Sequence, residues 1–133
     1  VVSWEVIEHL PKDTEHKMFK EVYRVLKPGG IFYLSTPNES FLSCLLDPAW
    51  WLIGHRHYSP YKLSVFSSSK FTIDKIEIRG RLWDLFCIIN LYISKWIFRR
   101  ELFLEDIFFK NSTREYFKNS HGYSTLFMKF FKK

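Results

Sequence analysis

Along this chain the spacing of apolar and polar positions changes several times, and each change predicts an element. Val1 to Trp4 is an apolar, strand-like run, too short to stand alone. Pro11-Lys12-Asp13-Thr14 reads as a turn, with Asp13 or Thr14 placed to cap the next helix. From Glu15 to Leu26 the apolar positions Met18, Phe19, Val22, Tyr23, Val25 and Leu26 recur at helical spacing. Lys27 suits the negative end of that helix, and Pro28-Gly29-Gly30 stops it. Ile31–Ser35 reads as a short buried strand, so the helix between two apolar strands predicts a right-handed crossover in a parallel sheet. Asn38 to His57 reads as loop, with apolar islands at Phe41–Leu46 and Trp50–Ile53. Ser59-Pro60 opens a helix to about Phe66, and Ser67-Ser68-Ser69 breaks it. Phe71–Ile78 alternates with period two, a strand with one wet face. Leu82–Phe98 is dense in Leu, Ile, Phe and Trp but is interrupted by Asp84, Asn90 and Lys95. It reads as an amphipathic or buried helix rather than a membrane span. A second aromatic segment, Leu102–Phe109, follows, and Tyr123–Phe131 reads as the last strand.

Composition changes this picture in two places. With 133 residues, 47% hydrophobic and 20% aromatic, the chain can bury a single-domain core, which excludes disorder throughout. Twenty Lys plus Arg against 14 Asp plus Glu give a net charge of +6, which permits an anionic partner or simply a solvated basic surface. Cys44 and Cys87 lie far apart in apolar surroundings and read as reduced thiols; without a CxxC there is no zinc ribbon. The chain opens on Val1 without a signal peptide, so the expectation is a fragment, or a gene model truncated at its N-terminus, residing in the cytoplasm.

Two motifs carry the chemistry: Glu5-Val6-Ile7-Glu8-His9 after the first strand, and Arg24-Val25-Leu26-Lys27-Pro28-Gly29-Gly30 leading to Ser35-Thr36-Pro37-Asn38. In order and spacing they resemble the class I S-adenosylmethionine-dependent methyltransferases (type 11/12-like), C-terminal half only. The resemblance implies an α/β fold, half of a Rossmann-like sheet. Its strands would be the family's four, five, seven and six, with only the seventh antiparallel. Residues 1–80 and 121–133 would form the family core, and 81–120 a variable helical, aromatic insertion between strands six and seven. Strand four would become an exposed apolar edge, an aggregation hazard. The family's glycine-rich turn and ribose-binding acid have no counterpart here, because Gly29-Gly30 follows a helix. The expectation is therefore that the N-terminal cofactor-binding half is absent and that this fragment alone is inactive.

The resemblance places Ser3, Trp4 and Glu5 beside the methyl-bearing end of S-adenosylmethionine, and Glu8, His9 and His57 at the catalytic acceptor side. Asn38 would lie there too. Glu5, Glu8 and His9 stand at i, i+3 and i+4, so one helical turn would put them on one face. With His55 they could ligate a divalent metal, as in metal-using branches of the superfamily. The alternative is that Glu8 and His9 organise the loop, and that His57 caps the next helix. Arg24 reads as a surface ion-pair residue. The expected partner is a small-molecule methyl acceptor, lipid-like or from a glycan pathway. The segment 82–109, with Trp83, Phe86, Trp96, Phe98, Arg99 and Arg100, either contacts a membrane surface peripherally or caps the sheet. A non-catalytic basic and aromatic module binding a membrane or a partner chain is the alternative function. Nucleic acid ranks last, since no RNA-binding motif is present.

Overall fold

The computed structural model describes residues 1–67, 69–118 and 121–133. Strands β1 (Val2–Trp4), β2 (Ile31–Pro37), β3 (Phe71–Arg79) and β4 (Thr125–Lys132) form one sheet in the order β1-β2-β4-β3. β1 runs parallel to β2, with Ser3 beside Leu34, and β4 is antiparallel to both β2 and β3. That is the order and direction the resemblance implies. A bulge between Ile73 and Lys75 shifts the β3–β4 register.

Period-two alternation sends Phe32 and Leu34 of β2 and Leu126, Met128 and Phe130 of β4 to one face. There they meet Phe19 and Val22 of α1 (Glu15–Val25) and Leu63 of α4 (Pro60–Ser67). Four rings, Phe19, Phe32, Phe71 and Phe130, interlock with centroids 5.6–6.1 Å apart. The opposite face carries Trp4, Tyr33 and Phe127, and is only partly covered.

Several elements differ from their expectation. Asn38 to His57 is not a loop: its apolar islands are two helices, α2 (Phe41–Leu46) and α3 (Pro48–Ile53). Each has its own cap, from Ser40 and Asp47, and Pro48 opens α3. Thr14 stands at the N-cap position of α1, but its hydroxyl donates back to Pro11 O, so neither Thr14 nor Asp13 caps with its side chain. Part of the serine break, Ser68, lies outside the described residues. The expected Leu82–Phe98 helix is α5 (Leu82–Tyr92) continued by a π-helical turn, Ile93–Ile97. The second aromatic segment enters α6 (Glu105–Lys118), which packs against α5. Arg24 pairs with Glu21 on the surface, as its position suggests. Both cysteines are free.

Candidate functional site

The carboxyl ends of β1 and β2, the start of β4, and helices α2, α3, α5 and α6 surround a cavity of about 580 Å³. This is the end of an open α/β sheet at which ligands bind. The chain leaves β1 through Glu5, whose φ of 49° is in the left-handed region. Its amide donates to Ser35 O at 3.1 Å, and Ser35 Oγ donates to Glu5 Oε1 at 2.5 Å. Burial raises the Glu5 carboxyl above the usual range, against the Ser35 bond and with help from the charge of Glu8.

The turn Ile7–His9 is 3₁₀, and it points Glu8 inward. Glu8 Oε2 accepts from Thr36 Oγ1 at 2.9 Å, while the buried Oε1 has no hydrogen-bond partner among the described residues and lies 3.9 Å from His9 Nε2. Arg56 locks this turn. It donates to the carbonyls of Ile7, Glu8 and Leu10 and, at 2.5 Å, to Glu15 Oε1, which also accepts from Tyr58 Oη at 2.7 Å. Burial would lift the Glu15 carboxyl, but the Tyr58 hydroxyl, backbone amides and Arg56 together hold it below its ordinary value.

Asp47 is the second hub. Its Oδ1 accepts the Ala49 amide, and Oδ2 lies 3.1 Å from His55 Nδ1 and 2.9 Å from His57 Nε2. Burial opposes ionisation, but bonds from His55, His57 and Ala49 keep the Asp47 carboxyl far below the usual range. The same carboxylate raises His55 above an ordinary imidazole, against the opposing effect of burial. His57 Nδ1 sits 3.1 Å from Asn38 O, so both ring nitrogens have protein partners.

Of the residues singled out in the sequence, Trp4, Glu5, His55 and His57 line the cavity. Ser3 is buried, its Oγ without a hydrogen-bond partner among the described residues. Glu8, His9 and His55 present ligand atoms within 4.8 Å of one another, as do Asp47, His55 and His57. Glu5 does not join the first group. The helical turn expected to align it with Glu8 and His9 begins only at Ile7, and its carboxylate is taken by Ser35. His57 does not cap α4, where Ser59 Oγ accepts the Lys62 amide instead. Asn38 is buried and donates to Tyr123 O.

Three residues carry weight that sequence reasoning missed: Asp47, Arg56 and Asp84. Asp84 comes from α5, inside the insertion, and accepts from Ser124 Oγ and from Ser112 Oγ at 3.4 Å. Burial raises its carboxyl, those two bonds opposing. The Asp47-Pro48 pair, the same cap-plus-first-turn signal as Ser59-Pro60, could have revealed Asp47.

A family model described as "Methyltransferase domain" matches residues 1–74. A stretch of 39 residues is 49% identical to a probable S-adenosylmethionine-dependent methyltransferase of Mycolicibacterium smegmatis, covering 29% of this chain and 14% of that protein. Among solved structures, the [4+2]-cyclase SpnF matches 98% of this chain and 48% of its own, with 16% identity and a TM-score of 0.54. The MccD protein matches 99% and 59%, with 15% identity and a TM-score of 0.52. The chain thus spans roughly half the length of these two structures, and a small part of the curated relative.

Proposed function

The chain belongs to the methyltransferase-domain family, and from that premise we propose that its cavity is the acceptor side of an S-adenosylmethionine-dependent methyltransferase acting on a small molecule. The observation that carries this is the convergence of Trp4, Glu5, His55, His57 and Asp84 on one cavity at the carboxyl ends of β1 and β2. Among the described residues no helix is long and apolar enough to cross a membrane.

The residues present fit the methyl-bearing end of the cofactor. Trp4 and Glu5 stand at a strand end facing the cavity, whereas Ser3, whose buried hydroxyl has no hydrogen-bond partner among the described residues, is not part of its lining. When bound, the cofactor supplies an activated methyl group. The protein's share is to hold the acceptor in line and to receive its proton. Glu5 and Asp84 are the carboxyls on the cavity whose burial favours taking up that proton. Asp47 fixes both imidazoles in the wall. Within these 133 residues no glycine-rich turn follows a strand, since Gly29-Gly30 joins α1 to β2. The nucleoside end therefore falls to residues outside this stretch, a division consistent with its covering about half of SpnF. The test is methyl transfer from labelled S-adenosylmethionine by the chain joined to a cofactor-binding half. Transfer in the joined protein and none by the 133 residues alone is expected. Transfer by the 133 residues alone contradicts the division.

A divalent metal has ligands in Glu8, His9 and His55, without Glu5. The supporting observation is Glu8 Oε1, buried, without a hydrogen-bond partner among the described residues and 3.9 Å from His9 Nε2. One carboxylate and two imidazoles suit zinc better than magnesium. Zinc at about 100 times its Kd should add roughly 2.7 kcal/mol of stability to the wild type. His9→Ala, a change at an exposed side chain, should abolish the rise in Tm. An equal rise in both would remove the site.

A second reading, a non-catalytic module on an anionic membrane surface, is favoured by one feature. Trp96, Ile97, Phe98, Phe103 and Leu104 are exposed together around Lys95, Arg99 and Arg100. Co-sedimentation with phosphatidylserine vesicles, reversed by salt and lost in the Trp96→Ser, Phe98→Ser double variant, is its expected signature. No binding at low salt removes it.

A further inference from the structure

The chain carries a net charge of +6, yet no lysine or arginine lines the cavity. Its charged wall is acidic: Glu5 and Asp84, with Asp47 already matched by His55 and His57. An anionic acceptor, whether phosphate or carboxylate, would meet the carboxyls of Glu5 and Asp84 with no lysine or arginine to receive it, and the imidazoles of His55 and His57 are already taken by Asp47. The remaining wall is aromatic and aliphatic. Trp4 packs edge-on against Phe127 with centroids 6.0 Å apart, and Phe127 meets Tyr116 edge-on at 6.1 Å. Ile88, Leu91 and Tyr92 supply other parts of the wall. Aromatic faces beside carboxylates form an environment that attracts an organic cation and repels an anion.

We infer that the acceptor is an amine: an ammonium group on an apolar body, held by Asp84 of the insertion, with Glu5 nearby and the Trp4–Phe127–Tyr116 wall around its apolar part. This deepens, and rests on, the reading of the cavity as the acceptor site. Ser124 and Ser112 donate to Asp84 and fix its carboxylate where β4 begins, so the insertion sets which molecule is accepted. An ammonium nitrogen has no free electron pair. Before it can accept a methyl group its N–H proton must pass to a carboxylate, so that R–NH3⁺ and COO⁻ become R–NH2 and COOH. Asp84, whose burial favours the protonated form, is suited to receive that proton.

Calorimetric titration of the chain with three probes of one shape tests the inference: 2-phenylethylamine, 2-phenylethanol and phenylacetate. The amine should bind about tenfold or more tighter than either other probe. Asp84→Asn should erase most of that preference and leave 2-phenylethanol affinity within about twofold. Ile88→Lys, which puts a cation on the cavity wall without touching Asp84, should turn the order towards phenylacetate. Equal affinities for amine and alcohol, a preference for phenylacetate in the wild type, or no binding of any probe would overturn the inference. Because no probe carries a methyl donor, these outcomes are separate from the enzymatic reading. An amine preference without methyl transfer by the joined protein would remove the reaction and keep the site. Methyl transfer without amine preference would do the reverse.

Discussion

Asp47 holds three groups at once, the Ala49 amide and two imidazoles, and is itself nearly buried. Asp47→Asn should therefore destabilise the protein by roughly 3 kcal/mol, the usual size for removing one partner of a buried charged network. Chemical denaturation of both proteins checks this, and a change below about 0.5 kcal/mol would contradict the hub. Asp84 acts in the opposite sense. Its folded-state pKa is raised by burial, so folding binds its proton more tightly and stability is lost as pH rises through that raised value. Asp84→Asn should accordingly raise Tm above the carboxylate range, with the gap closing as pH falls and the wild-type carboxyl becomes protonated in both states. A gap that does not depend on pH would show that Asp84 is not strained by its charge. Glu5, Glu8, His9, His55 and His57 read as a constellation from type and spacing, and of these the structure brings Glu8, His9 and His55 within ligand distance of one another. Arg56 was not legible, because its four acceptors are three carbonyls and one carboxylate that converge only once the turn Ile7–His9 meets α1.

At the scale of elements, strands and long helices declare themselves through period, and short or irregular pieces do not. β2, β3, β4 and α1 were readable because each repeats its period several times. α2 and α3 have six residues each, less than two turns, and their caps rather than their periods define them. The π-helical end of α5 has no local signature in the residues Ile93–Ile97. The insertion rejoins the sheet at Gly122, whose amide donates to Ile78 O at 2.6 Å. A Cβ there would lie 2.4 Å from the Arg79 carbonyl carbon, a backbone atom that cannot move alone. Gly122→Ala should separate the β3 and β4 ends and destabilise the protein by about 2 kcal/mol or more. Thermal unfolding would reveal this, and an unchanged Tm would mean that the junction yields easily.

At the scale of the sheet as a whole, one face is sealed by α1 and α4 while the other leaves Trp4 and Tyr33 exposed, and among the described residues β1 pairs only with β2. An apolar strand with a free edge invites pairing with another chain. Val2→Lys, at an exposed position of that strand, should lower concentration-dependent self-association in sedimentation equilibrium. Equal association in both proteins would place the contact elsewhere. The proposed division gives the acceptor side to these residues and the nucleoside-binding side to others. SpnF, a cyclase that shares the fold, is a reminder that the sheet alone does not dictate the reaction. The sharpest test of this division is calorimetric titration of the folded 133-residue chain with S-adenosylmethionine. No saturable binding below about 1 mM is expected, and binding with a Kd of about 10 μM or tighter would contradict the division.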